Sequence, residues 1–252
     1  SDPVTGVKEK VGWYAVNVSA NDVATSGARP RFIQSVLLLR PDTDISQLKE
    51  IVSQVHTAAK ALHITVTGGH TELTPGLDRP IVITTCFGLT DHFVTSAGAR
   101  EGDLILMTKT AGIEGTSILA GRFHHSLRHL GGDLLARASK MREKISVVEE
   151  ALLAFGTGLV HGMHDPTEGG LIGGVYEMAE ASNLGFTIDE KSIPVADETR
   201  EICTILTIDP LKLISSGVLL MAVDPKDANT ITGVLKSRRI NSHVIGKFTK
   251  RV

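Results

Sequence analysis

Residues 32–69 read FIQSVLLLRPDTDISQLKEIVSQVHTAAKALHITVTGG. The first eight, Phe32 to Leu39, form a short apolar run with β-branched members, the composition of a buried strand. After the polar break at Arg40-Pro41-Asp42, the residues Ile45, Leu48, Ile51, Val52, Val55, Ala58, Ala59 and Leu62 recur at steps of three and four. That spacing predicts one apolar stripe along a helix. His63 to Thr67 then predicts a short strand running into Gly68-Gly69. Two strands joined by an amphipathic helix place the chain in the α/β class, with mixed sheets packed against helices.

Outward from this stretch, Ile81 to Leu89 predicts a further strand. Small and polar residues cluster from Thr95 to Gly102, among them Ser96, Ala97, Gly98 and Gly102. A domain boundary is expected there, giving domains 1–97 and 98–252. The second half opens with a strand from Asp103 to Thr108 and a glycine-rich turn. A helix follows from about Val147, behind a capping-box pattern at Ser146 and Glu149. Another helix is expected from Glu168 to Ala181, then a buried strand from Gly217 to Val223. Asp224-Pro225 reads as the cap and first residue of a helix through Leu235, and Ile240 to Phe248 as a closing strand.

Composition narrows the function classes. The chain has 252 residues, with 26 Lys+Arg against 28 Asp+Glu and a net charge of −2. A dedicated nucleic-acid binder would show a basic excess, so none is expected as partner. The 42% apolar and 21% charged content is that of a folded globular protein rather than a disordered one. The longest apolar runs, Val36 to Leu39 and Val218 to Val223, are far too short to span a bilayer, and no signal-peptide pattern is present. A cytoplasmic, membrane-independent protein is expected. Its two cysteines, Cys86 and Cys203, make neither a disulfide framework nor a four-ligand zinc site. They read as reduced, buried thiols.

Four segments set polar residues beside glycine or at element ends: Ser1-Asp2-Pro3, Asn21-Asp22 ahead of Gly27, Gly68-Gly69-His70-Thr71-Glu72, and His164-Asp165-Pro166-Thr167-Glu168-Gly169-Gly170. Glycine amides can approach and hold phosphate oxygens. The Gly68–Glu72 segment is neither a Walker loop nor a dinucleotide fingerprint, and by itself it reads first as a plain tight turn. Asp2, Asp22 and Asp165 are the carboxylates to group, since magnesium takes oxygen ligands and keeps waters. Taken singly, each has a structural reading: a solvated terminus for Asp2, a cap of a helix around Val23 to Ser26 for Asp22, and an N-cap for Asp165. Among ten histidines there is no zinc-hydrolase spacing. His70 and His164 stand out because they sit inside the glycine-rich segments, whereas His124-His125, between Arg122 and Arg128, reads as a solvated basic face.

Taken together, NDVATSGARP at 21–30, GGHTELTPGLDRP at 68–80, AREGDLILMT at 99–108 and DPLKLISSGVLLMAV at 209–223 resemble the aminoimidazole ribonucleotide (AIR) synthetase superfamily over nearly the whole chain. DPTEGGL at 165–171 and Ile193-Pro194-Val195 are most similar to the hydrogenase maturation protein E type and the AIR synthase-related proteins. The resemblance implies two α/β domains, the first pairing with its copy in a homodimer through a shared β-barrel, with ATP and magnesium between domains and subunits. It implies transfer of the γ-phosphoryl group to an amide or carbonyl oxygen of a small-molecule substrate, or to a phosphate or selenide. Carried over by position, Asp2, Asp22 and Asp165 would be metal ligands. Ser1, Asn21, Gly68, Gly69, His70, Thr71, Glu72 and Thr167 would line the nucleotide site, and His70, Glu72 and His164 are the catalytic candidates. The resemblance also expects a glycine-rich or acidic segment ahead of Ser1 and, in the maturation type, a terminal cysteine; the sequence from Ser1 to Val252 contains neither. The acceptor therefore stays open among three readings: a small molecule, a maturation role with a protein partner, or a non-catalytic dimeric relative.

Overall fold

The structure is a computed structural model and describes residues 10–251, so the candidates Ser1 and Asp2 lie outside the described residues. The chain divides into two compact units. One takes the chain up to Val23 together with Ala28–Thr90; the other takes Ala24–Gly27 and everything from Asp91 onward. The expected boundary between 97 and 98 lies a few residues past this division, at a one-turn 3-10 helix, Ser96–Gly98.

In the first unit the elements run α1 (Val11–Thr25), β1 (Phe32–Leu39), α2 (Ile45–Ala61), β2 (Thr65–Leu73) and β3 (Ile81–Phe87). β1 is central, parallel to β2 and antiparallel to β3. Helix α2 starts where its sequence says it should: the Asp44 carboxylate accepts from the Gln47 amide at 2.8 Å and satisfies one orphan donor. Its stripe buries Ile51, Val55, Ala58 and Ala59. With Val11 and Ala15 of α1, Ile51 packs on Leu37, Leu39 and Val82 of the sheet. That core covers one face of the sheet. On its other rows Phe32, Ile83 and Phe87 stay exposed, with Phe32 and Phe87 paired in register and their ring centroids 5.9 Å apart.

Two expectations change here. Asp22 does not cap a short helix, because α1 extends through it from Val11. And β2 does not stop before the glycines; it continues through Gly68 and Gly69 to Leu73. The reason is a bulge in the β1–β2 pairing between Ile33 and Gln34, which sets Gly69 opposite Ser35. A Cβ at Gly69 would lie 1.8 Å from the Ser35 carbonyl oxygen, so only glycine fits the strand there.

The second unit runs β4 (Leu104–Thr108), α3 (Ile113–Arg122), α4 (His124–Leu127), α5 (Gly132–Lys140), α6 (Val148–Gly156), β5 (Val160–His164), α7 (Gly170–Ala181), β6 (Gly185–Ile188), α8 (Asp197–Leu206), β7 (Leu220–Val223), α9 (Ala228–Ser237) and β8 (Ser242–Thr249). Its five strands lie in the order β5-β7-β4-β8-β6, and every neighbouring pair is antiparallel. Ile105, Met107, Leu220, Ala222, Ile245 and Phe248 of the sheet pack against Leu171, Val175 and Met178 of α7. A second cluster, Ala120, Leu127, Leu135, Ala138 and Ile202, joins α3, α4, α5 and α8, where the sequence suggests only a glycine-rich turn after β4. The helix expected at Pro225 begins at Ala228 instead. The Asp224 carboxylate accepts from the Lys226 amide at 3.0 Å and turns the chain before the helix starts. No helix among the described residues is long and apolar enough to cross a membrane.

Candidate functional site

In the first unit, α1 carries Asn21 and Asp22 in its later turns. Asn21 is fully buried and Asp22 is exposed. β2 is an edge strand, exposed along all nine residues, and it presents His70, Thr71 and Glu72 to solvent. An edge strand leaves alternate amides pointing away from its sheet, available to an acceptor such as a phosphate oxygen. The place a Gly68 Cβ would take has no atom within 4 Å, so the backbone is bare on that side. His70 and Glu72 share a face at a spacing of two, with Nε2 and Oε2 3.8 Å apart.

In the second unit, β5 ends at His164 and hands the chain to Asp165, Pro166 and Thr167 before α7. Asp165 is 3% exposed. The Thr167 carbonyl accepts from the Gly170 amide at 3.1 Å and from the Ser215 amide at 3.4 Å. Gly169 takes the N-cap of α7 at a φ of 82°, in the left-handed region, and no side chain caps the helix. Of its first amides, that of Gly170 is taken by the Thr167 carbonyl and that of Ile172 donates to the Leu211 carbonyl at 3.3 Å. Gly170 is required by packing, because a Cβ there would come within 2.5 Å of the Leu211 carbonyl oxygen. His164 pairs through Nε2 with Oε2 of Glu177 at 2.7 Å.

The sequence reading misses Glu177, Glu114 and Ser216. Glu177 lies two turns into α7, and nothing local in the sequence ties it to His164. Glu114, in the first turn of α3, is 2% exposed, and Ser216 is fully buried. Burial pushes the Glu114 carboxyl up to about 7; the neighbouring Ser216 hydroxyl pulls the other way and the charge of Glu168 adds to the rise. Ser216 is near enough to favour the ionised carboxyl, yet neither Glu114 Oε2 nor Ser216 Oγ has a partner at hydrogen-bond geometry.

Among the described residues, no three or more His, Cys, Asp or Glu side chains gather as a metal site. Magnesium does not need such a group, since one or two carboxylates plus phosphate oxygens and waters complete its shell. Asp22 lies in the first unit and Asp165 in the second.

These features define a class: a two-unit α/β protein with a three-stranded mixed sheet in one unit and a five-stranded antiparallel sheet in the other. The chain belongs to the AIR synthase-related family. The model of that family's N-terminal domain matches residues 2–90, and the model of its C-terminal domain matches residues 100–252. A putative hydrogenase expression/formation protein of Methanocaldococcus jannaschii is 32% identical over 244 residues, covering 95% of this chain and 70% of that protein. The carbamoyl dehydratase HypE of Cupriavidus necator is 28% identical over 250 residues, covering 96% of this chain and 66% of that protein. The crystal structure of a hydrogenase maturation protein HypE in complex with ATP superposes with a TM-score of 0.82 at 27% identity, covering 95% of this chain and 71% of that one. The chain thus spans about two thirds of the length of the curated relatives it matches.

Proposed function

We propose that this chain carries the ATP- and magnesium-dependent phosphoryl-transfer machinery of an enzyme that activates an amide or carbonyl oxygen of a small-molecule acceptor. The observation that carries the reading is the Asp165–Gly170 loop, where a buried carboxylate is followed within five residues by the start of a 12-residue helix. The ATP-bound relative and the carbamoyl dehydratase among the similar proteins support it. When bound, the nucleotide supplies the γ-phosphoryl group, which passes to the acceptor oxygen as the β–γ bridging bond breaks. The chain's own residues then act mainly by placing charge. Asp22 and Asp165 would hold the metal with Asp2, and the Gly68-Gly69 stretch of the edge strand would offer its outward amide to a phosphate oxygen. Ser1, Asn21, His70, Thr71 and Thr167 line the nucleotide. Glu72 and His164 are the groups placed to take or give a proton, with Glu177 orienting the His164 ring.

Calorimetric titration of a non-hydrolysable ATP analogue tests the assignment. Binding to the full chain should require magnesium, and Asp22→Ala and Asp165→Ala should each weaken it by about tenfold or more. Unchanged affinity in both variants rejects the metal site.

A second reading has its own support in the 32% identical relative, whose name places it in hydrogenase expression and formation. There the same site would act within a maturation complex, with a protein as partner. Robust turnover of a free metabolite beside no partner in a pull-down decides against it. ATP hydrolysis above background removes the remaining reading, a non-catalytic dimer. In all three readings the chain pairs with a second copy through the exposed face of the β2-β1-β3 sheet.

A further inference from the structure

Helix α9 and strand β8 are joined by a tight reversal of the chain. The amides of Arg239 and Ile240 donate back to the Lys236 and Leu235 carbonyls at 2.9 and 3.1 Å, with Arg239 in the left-handed region at a φ of 61°. Just past the turn, the Asn241 carbonyl accepts from the Lys109 amide at 3.0 Å. Residues 241–243 are thereby fixed alongside one face of α9, and a cleft of about 320 Å³ is left between them. On the helix side Asn229, Thr232, Gly233 and Lys236 recur at steps of three and four, so they share a face. On the strand side the lining is Asn241, Ser242 and His243.

Three features mark this cleft as a place for a ligand. Lys236 and His243 are the basic groups in it, no carboxylate lines it, and Ile240 is its one aliphatic side chain. Neither Lys236 nor His243 has an ion-pair or hydrogen-bond partner for its side chain among the described residues, whereas nearby Arg238 turns to Glu149 at 4.0 Å. Gly233 sits in the middle of α9, where glycine weakens a helix relative to alanine. A Cβ there would meet no atom within 4 Å, so packing does not ask for the glycine. What the missing side chain does is keep the helix wall of the cleft bare.

We propose that this cleft binds a small hydroxylated phosphate monoester, of the polyol phosphate class. The Lys236 ammonium supplies a point charge and the His243 ring an N–H donor for the phosphate oxygens. The side-chain amides of Asn229 and Asn241 and the Ser242 hydroxyl offer both donors and acceptors, which is what the hydroxyl groups of a polyol require. The Thr232 hydroxyl already donates to the Asn229 carbonyl at 3.1 Å and so presents an acceptor. A volume of 320 Å³ is roughly ten times the share of one water, room for more than a bare phosphate. The imidazole of His243 is the one ring in the lining, so the cleft has little on which to stack a nucleobase. That sets its ligand apart from the nucleotide of the proposed reaction. None of the metal, nucleotide or catalytic candidates lines the cleft, and the inference does not depend on the phosphoryl-transfer reading.

The test uses the full chain and glycerol 3-phosphate as probe, read by saturation-transfer NMR, with inorganic phosphate, malate and a non-hydrolysable ATP analogue as competitors. Wild type should bind the ester more tightly than inorganic phosphate or malate, and the ATP analogue should not displace it. Lys236→Ala and His243→Ala should each raise the Kd by about tenfold. Lys236→Arg, which keeps the charge, should stay within about threefold of wild type. Gly233→Leu fills the cleft without touching a charge. It should abolish binding while its thermal midpoint equals or exceeds that of the wild type, a combination that a merely structural glycine would not give. Should Gly233→Leu lower the midpoint instead, the exposed Lys236 and His243 variants carry the result. The proposal is overturned by an ester that does not bind wild type, by inorganic phosphate binding equally well, by malate binding more tightly, by displacement with the ATP analogue, or by an unchanged Kd in Lys236→Ala and His243→Ala.

Discussion

A carboxyl that is 2% exposed and titrates near 7 makes the stability of the protein depend on pH. Between its ordinary value of 4.5 and about 7, the folded protein holds a proton on Glu114 that the unfolded chain has released. The unfolded state binds fewer protons in that window, so stability falls as pH rises through it, by about 3 kcal/mol once both values are passed. Glu114→Gln abolishes the effect. Its thermal midpoint relative to wild type should therefore be higher at pH 8 than at pH 5, and an equal difference at the two pH values contradicts the assignment. Cys86 and Cys203 behave differently, since burial raises each thiol to about 11 and keeps it from ionising near neutrality. Both should resist iodoacetamide at pH 8 in the folded protein and react once it is unfolded in denaturant, as mass spectrometry would show. Asp165, Thr167 and Gly170 are legible in the sequence because polar residues abut glycines just before a helical pattern. Glu114 and Ser216 are not, since their relation is made by a loop returning about a hundred residues later.

Elements with clear amphipathic contrast are the ones the sequence reveals. β1 and α2 follow directly from an apolar run and a stripe at steps of three and four. Helix α1 escapes because Tyr14, Ala15, Val16, Asn17, Ser19, Ala20 and Asn21 are all buried, leaving no polar face to set off an apolar one. Long-range polar joints between elements escape for another reason, that sequence separation hides them. Just past β4, Lys109 Nζ reaches Glu150 Oε1 of α6 at 2.6 Å and also donates to the carbonyls of Lys144 and Ser146 at 3.0 and 2.8 Å. Desolvation lowers the Lys109 pKa despite the attraction of Glu150, the sign of a pair held away from water. Lys109→Met leaves the buried Glu150 carboxylate without its cation and should cost about 3–5 kcal/mol. Adding Glu150→Leu should recover most of that loss. A double-mutant cycle by urea denaturation measures the coupling, and additive losses would show that the pair acts independently.

At the scale of the whole molecule, the segments 21–30, 68–80, 99–108 and 209–223 make the family recognisable, and matches to both family domains agree with that. What no local pattern discloses is how the first unit's sheet is covered. One face packs on α1 and α2, whereas Phe32, Ile83 and Phe87 on the opposite face are each between 38% and 42% exposed. A contiguous apolar surface on a folded unit marks a place where another surface docks. In a homodimer the occupant is the same patch on the second copy, related by a two-fold axis, so every substitution is present twice in the interface. Sedimentation of the wild-type chain should give twice its 26.9 kDa mass, with a thermal midpoint that rises with protein concentration. Ile83→Asp sets two like charges against each other in an apolar setting and should shift the species to a single chain at micromolar concentration. Its helical circular dichroism should be retained, because Ile83 points away from the α1–α2 core. A wild type that sediments as one chain at every concentration removes the dimer, and the apolar face would then belong to a different partner.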